Sequence, residues 1–201
     1  MKINLSIIAS VAIVAASTLA FTPIKPKESV YKVDAEKSSI VWTGKKVTGE
    51  HTGNIKLSGG TLSDNGKSLT SGNLKFDMAS ITCNDIKDAE YNGKLLGHLR
   101  SDDFFSVDKH PTSAFVISNV KPLSGTQYEI TGKLTIKGIT NEISFPATIS
   151  KKENVLVAIA DVKIDRTKFD IKYGSGSFFE GLGDKAIDNE FSMKVNLVAK
   201  K

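Results

Sequence analysis

The chain has 201 residues, 27 of them basic and 22 acidic, with a single cysteine. One cysteine excludes an internal disulfide, so stability has to come from packing and backbone hydrogen bonds. The formal charge of +5 is spread over single lysines such as Lys133, Lys137, Lys151 and Lys152, with no basic stripe interleaved with aromatics, which argues against a nucleic-acid partner.

The chain opens with Lys2, an apolar run from Leu5 to Ala16, and the small residues Ser17, Thr18 and Ala20. That pattern predicts a secretory signal peptide over residues 1–20. The run falls short of the roughly 20 apolar residues that a spanning helix needs, and no cysteine follows it to carry a lipid. The expected product is therefore exported, periplasmic or beyond, and soluble, with no integral membrane segment in the mature chain. Losing Lys2 lowers its formal charge from +5 to +4. Residues 21–30 hold the proline-containing stretch TPIKPKE and read as a flexible leader, followed by one domain over 31–201.

Beyond the leader most of the chain alternates with period two. Ile40/Trp42, Ile55/Leu57, Leu74/Phe76/Met78 and Phe115/Ile117 are short examples. From Tyr128 to Lys137 the apolar residues occupy even positions and the polar ones odd positions, so one face of a strand is wet. Ile143, Phe145, Ala147 and Ile149 repeat the pattern, as do Phe191, Met193, Val195, Leu197 and Ala199. Turn-forming clusters such as Ser58-Gly59-Gly60, Asp64-Asn65-Gly66 and Lys137-Gly138 separate the runs. Short connections make antiparallel neighbours, and about eight such strands close into a barrel without exposed edges.

One segment departs from alternation. From Asp85 to Phe105 the positions of Ile86, Ala89, Leu95, Leu96 and Leu99 fit a helix, and Ser101 with Asp102 and Asp103 predicts the N-terminus of a second short helix ending before Pro111. The expected fold class is thus all-β, an elongated antiparallel barrel with a short helical insertion. An eight-stranded barrel is either filled by its own side chains or holds one slender ligand. The inward candidates are aliphatic and aromatic, so a cavity there would take an acyl or prenyl chain rather than a polar metabolite.

Chemistry-bearing patterns are sparse. His51, His98 and His110 have no metal-pair spacing, and Cys83 reads as a buried filler, so no metal ligands are expected. His51 is expected in a turn and His98 as a hydrogen bonder between helix and strand. Gly174-Ser175-Gly176-Ser177 lacks the context of a phosphate loop or a nucleophile elbow. Arg166, between Ile164 and Phe169, is expected to pair with a carboxylate such as Asp102 or Asp103 at the barrel end, with a ligand head group as the alternative.

Four blocks carry a resemblance: Tyr31-Lys32-Val33-Asp34 with Ser39 to Trp42, His98-Leu99-Arg100-Ser101-Asp102-Asp103-Phe104-Phe105 through His110-Pro111 to Phe115, Gly132 to Thr140, and Asp165-Arg166-Thr167-Lys168-Phe169. In this order the chain resembles the YceI-like family of periplasmic lipid-binding proteins from Tyr31 to Val198. The resemblance implies a lipocalin-like barrel with a long apolar channel, a non-covalently bound polyisoprenoid, quinone-like or fatty-acyl molecule, whether cargo, redox cofactor or substrate, and no catalytic set. Many members have glycine where this chain has Asp170, and early histidines where it has Ser38 and Gly44 or Lys45. The expected lipid-lining residues are Trp42, Phe76, Met78, Leu95, Leu99, Phe104, Phe115, Ile117, Ile130, Leu134, Phe145, Phe169 and Phe191. The competing readings are a small esterase using Ser175 or Ser177, and a partner-binding scaffold with a filled barrel. A homodimer stays open.

Overall fold

The alternating runs become strands, and the computed structural model describes residues 28–201. The expected signal peptide and most of the leader lie outside these residues. Ten strands form one antiparallel sheet: β1 (Ser29–Val33), β2 (Ser39–Lys46), β3 (Gly49–Asn54), β4 (Lys56–Asp64), β5 (Leu69–Asp77), β6 (Thr112–Pro122), β7 (Gln127–Ile136), β8 (Ile139–Lys152), β9 (Val155–Asp165) and β10 (Ile187–Lys200). β1 starts at Ser29, two residues ahead of the expected start of the domain.

The ten segments occupy eight places in a closed ring. β1 and β2 lie end to end along β10, with Lys32 opposite Lys200 and Ser39 opposite Asn196. The turn Asp34–Ser38 bulges out between them and is pinned by Asp34 N–H donating to Val198 O (2.8 Å) and by the Asp34–Lys200 ion pair at 2.8 Å. β3 and β4 likewise share one place, broken at Ile55, whose N–H reaches back to Ile40 O (3.1 Å). Each place pairs with its neighbours in chain order, and pairing of β10 with β1 and β2 closes an eight-stranded up-and-down barrel.

Inward parity follows the sequence. On β7, Ile130, Gly132, Leu134 and Ile136 are buried and face inside, where Leu134 lies opposite Phe115 on β6. Gly132 is required there: a Cβ would sit 2.5 Å from the Phe115 ring. Lys137 and Gly138, both at positive φ, make the tight turn into β8.

The barrel ends differ in their connections. One end, the floor, carries the loops 65–68, 123–126 and 153–154. The other, the mouth, carries the short turns 47–48 and 137–138 and two long excursions, 78–111 and 166–186. The first excursion holds α1 (Ala89–Arg100), the single α-helix among the described residues, N-capped by Asp88, which accepts from Tyr91 N–H at 2.9 Å. No second helix follows, contrary to expectation. Ser101 caps the end of α1 instead, its N–H donating to Gly97 O and His98 O, and residues 102–109 run as successive turns. Acidic residues after a serine start a helix only where the chain is free to turn into one, and here that serine is already stopping one.

Candidate functional site

Between floor and mouth the interior is not filled by side chains. Ile143 and Phe145 on β8, Ala158 and Ala160 on β9, and Met193 and Val195 on β10 point inward yet stay partly accessible, because a cavity of about 210 Å³ runs beside them. It extends from Leu62, Leu69, Ile149 and Leu197 near the floor to Lys45, Asp188 and Glu190 at the mouth. Those three mouth residues are exposed, so the cavity reaches the surface there.

Eleven of the expected lining residues line it: Trp42, Phe76, Met78, Leu99, Phe104, Phe115, Ile117, Ile130, Leu134, Phe145 and Phe191. Phe115 and Phe145 face each other with ring centroids 5.5 Å apart. Leu95 and Phe169 do not line it. Leu95 turns on α1 toward the side cluster of Trp42, Ile81 and Cys83, while Leu99, one turn on, faces the cavity. Phe169 lies in a 3-10 turn after β9, where strand parity no longer applies, and is 1% exposed within the core. The inward face of β9 was missed among the lining candidates, although Ala158, Ala160, Val162 and Ile164 alternate plainly in the sequence.

Arg166 borders the mouth end of the cavity and has a partner set other than the one expected. Its Nε donates to Asp188 O (2.9 Å), Nη1 to Ile171 O (2.8 Å) and Nη2 to Ile187 O (3.0 Å), so one guanidinium stitches the 166–186 excursion to the start of β10. Burial pulls its pKa below the ordinary arginine value, against the opposing charges of Asp165 and Asp188. Asp102 is bound instead by Ser106 and Lys109, and Asp103 by His98. The serines of the Gly-Ser-Gly-Ser stretch are loop ties too. Ser175, fully buried, donates to Asn189 Oδ1 (2.7 Å), and Asn189 Nδ2 donates to Ser177 Oγ (2.8 Å).

The departures at the mouth have physical content. Asp170, where many relatives have glycine, sits at φ 57°, ψ 30°, a left-handed position that aspartate tolerates better than most residues. Gly44 and Lys45 border the cavity, whereas Ser38 lies away from it, donating to Asp34 O (2.7 Å).

Comparison with known families matches residues 31–199 to the YceI-like domain. The chain belongs to the YceI-like family. Among solved structures, BcnA of Burkholderia cenocepacia superposes with a TM-score of 0.67 at 26% identity, covering 84% of this chain and 99% of that one. A polyisoprenoid binding domain from Saccharophagus degradans, implicated in plant cell wall breakdown, gives 0.59 at 12% identity, covering 85% and 97%, a likeness of fold. A UPF0312 protein of Pectobacterium atrosepticum is 34% identical over 77 residues, 38% of this chain and 40% of that one. The aligned stretch thus spans about two-fifths of that relative. Within the described residues of this YceI-like chain, no helix is long and apolar enough to cross a membrane.

The other histidines also have fixed places. His98, expected to bridge helix and strand, joins the two excursions instead: its Nε2 is 3.2 Å from Asp103 Oδ2, and its ring meets Phe104 of the first excursion and Tyr173 of the second edge-on. His51 is in strand β3, not in a turn. Its Nδ1 is 2.7 Å from Asp85 Oδ2, and Cys83 Sγ donates to Asp85 Oδ1 at 3.3 Å. Burial opposes ionisation of Asp85, but hydrogen bonds from Thr52 N–H, His51 and Cys83 outweigh it and bring its pKa to about 2. Burial pushes the Cys83 thiol up, so it stays protonated. This three-residue cluster was not legible from spacing, because 31 residues lie between the histidine and the cysteine, and the β4–β5 hairpin brings them together only by way of the irregular 78–81 segment.

Proposed function

We propose that the protein is exported and carries or sequesters one long, slender apolar molecule, a polyisoprenoid, isoprenoid quinone or fatty-acyl chain, in the barrel interior, without chemistry of its own. The observation that carries this reading is the cavity wall. It is aliphatic and aromatic along its length, with charged residues confined to the mouth, which suits a ligand with an apolar tail and at most a small polar end.

One magnitude supports it. At roughly 10–15 Å³ per water, the cavity has room for on the order of fifteen water-sized units. An apolar guest that fills it would take the facing apolar side chains out of contact with water. The polyisoprenoid-binding domain that shares this fold agrees with the reading.

The test is native mass spectrometry of protein purified from its own envelope, followed by organic extraction. An isoprenoid or acyl chain at about one per barrel is expected. Folded protein that arrives without such a molecule and takes up neither prenyl nor acyl chains would overturn the reading. Ala160→Phe, which projects a ring into the cavity, should lower uptake by roughly tenfold or more while leaving the circular dichroism spectrum unchanged.

A further inference from the structure

Beside Trp42, whose Nε1 donates to Thr82 O (2.9 Å), the excursion after β5 returns along the free edge of β3. Thr82 N–H donates to Asn54 O (3.0 Å) and Asn84 N–H to Thr52 O (2.8 Å), so the segment covers that edge as an irregular extra strand would. Gly53 makes the approach feasible, since a Cβ there would lie 1.7 Å from Thr82 O. The approach gathers an imidazole, a thiol and a carboxylate from three positions, with ligating atoms of His51, Cys83 and Asp85 all within 4.8 Å of one another.

We propose that His51, Cys83 and Asp85 form a binding site for a divalent late first-row metal ion, with Zn²⁺ as the best match. Nitrogen, sulfur and oxygen donors together suit a borderline-soft ion that takes four ligands in a tetrahedron. A carboxylate only accepts hydrogen bonds, so the protons that His51 Nδ1 and Cys83 Sγ contribute both point at Asp85. One cation can take the place of these two protons and keep all three donors. The thiol proton goes to solvent, and His51 retains a single ring proton, on Nε2.

The scaffold is held independently of any ion. His51 lies opposite Gly44 in the β2–β3 ladder, Cys83 O accepts from Asn92 Nδ2 (2.9 Å), and Asp85 Oδ1 accepts from Thr52 N–H (2.8 Å). The side chains of His51 and Asp85 are 36% and 33% exposed, which leaves an approach from solvent and room for a water as fourth ligand. Cys83 closes the site from inside and packs with Trp42 and Ile81, both of which also line the cavity. Trp42 is the chain's single tryptophan, so it reports on this site without interference.

The test is titration of the purified, metal-stripped protein with Co²⁺, followed by Zn²⁺ competition. Co²⁺ at one per chain should give a near-ultraviolet thiolate-to-cobalt charge-transfer band and quench Trp42, and Zn²⁺ should remove the band. Cys83→Ser should abolish the band. His51→Gln and Asp85→Asn should weaken binding by roughly tenfold or more, the scale found even for groups that only support metal ligands. His98→Gln, next to the other His–Asp pair, should change nothing. Absence of the band at saturating Co²⁺, or affinity unaltered in His51→Gln, would overturn the site. Because the His51 side chain is partly exposed, that variant decides the matter even if Cys83→Ser fails to fold.

Discussion

The floor and the mouth of the barrel are built from the same strands but secured in different ways. At the floor short loops join the strands, Leu62, Leu69 and Leu156 are buried, and the buried carboxylate of Asp64 is met by Lys151 at 2.7 Å. At the mouth two long excursions have to be tied down, and the ties are hydrogen bonds to backbone: Arg166 to three carbonyls, and Arg100 Nη2 to Ala79 O (3.0 Å) and Ile81 O (3.2 Å). A strand end that turns back at once satisfies its own backbone, whereas a long loop leaves carbonyls that need a donor from elsewhere. The difference predicts that the mouth depends on a few multivalent side chains and the floor on packing.

Arg166→Met tests this most severely. It strips donors from three carbonyls and should cost about 3–4 kcal/mol in urea unfolding, near 1 kcal/mol per bond with more for a charged donor. Lys151→Met at the floor leaves Asp64 with the Gly66 N–H (2.7 Å) and should cost less, about 2 kcal/mol, the worth of one hydrogen bond to a charged group from a partly exposed donor. A floor variant that costs more than the mouth variant would break the comparison. Asp170→Gly sharpens it in the other direction: removing a side chain from a left-handed position should stabilise the mouth by about 0.5–1 kcal/mol, read as a higher denaturant midpoint.

The smallest effect is a slope. Asp85 has a pKa of about 2 against an ordinary 3.8, so its contribution to stability is complete above about pH 4 and is lost as pH falls toward 2. Asp85→Asn should flatten that part of the stability profile without abolishing it, since Asp34, Asp102 and Asp170 are lowered as well. An unchanged slope would mean that the 81–85 segment is not held through this carboxylate.

Legibility in the sequence follows the same division. The strands and their inward faces could be read because alternation is a local rule, and it placed Phe115, Ile130, Leu134 and Phe145 on the cavity wall. It failed where the backbone left the strand, at Phe169, and on the helix, where Leu95 sits one turn before Leu99 and packs on the side cluster instead of the cavity. The merging of β1 with β2 and of β3 with β4 into two barrel places depends on pairing with β10 and with each other, which no single stretch encodes. Arg166 was legible as a buried cation but not in its partners, because main-chain carbonyls carry no sequence signature. His51, Cys83 and Asp85 meet only through the tertiary path of the excursion.

The ring is closed by its last strand. β10 pairs on one side with β9, its neighbour in the chain, and on the other with β1 and β2 from the opposite end of the domain. A nascent or truncated chain that stops before Ile187 therefore has two open edges, one on β9 and one along β1 and β2, and no cavity wall along the tenth strand. Zippering of neighbouring hairpins can proceed as the residues emerge, but the longest loop closure, with its entropic cost, comes last. Until then the strands form a curved, sticky ribbon whose apolar face is open to other chains, so a carboxy-terminal deletion should produce aggregates rather than a weaker barrel.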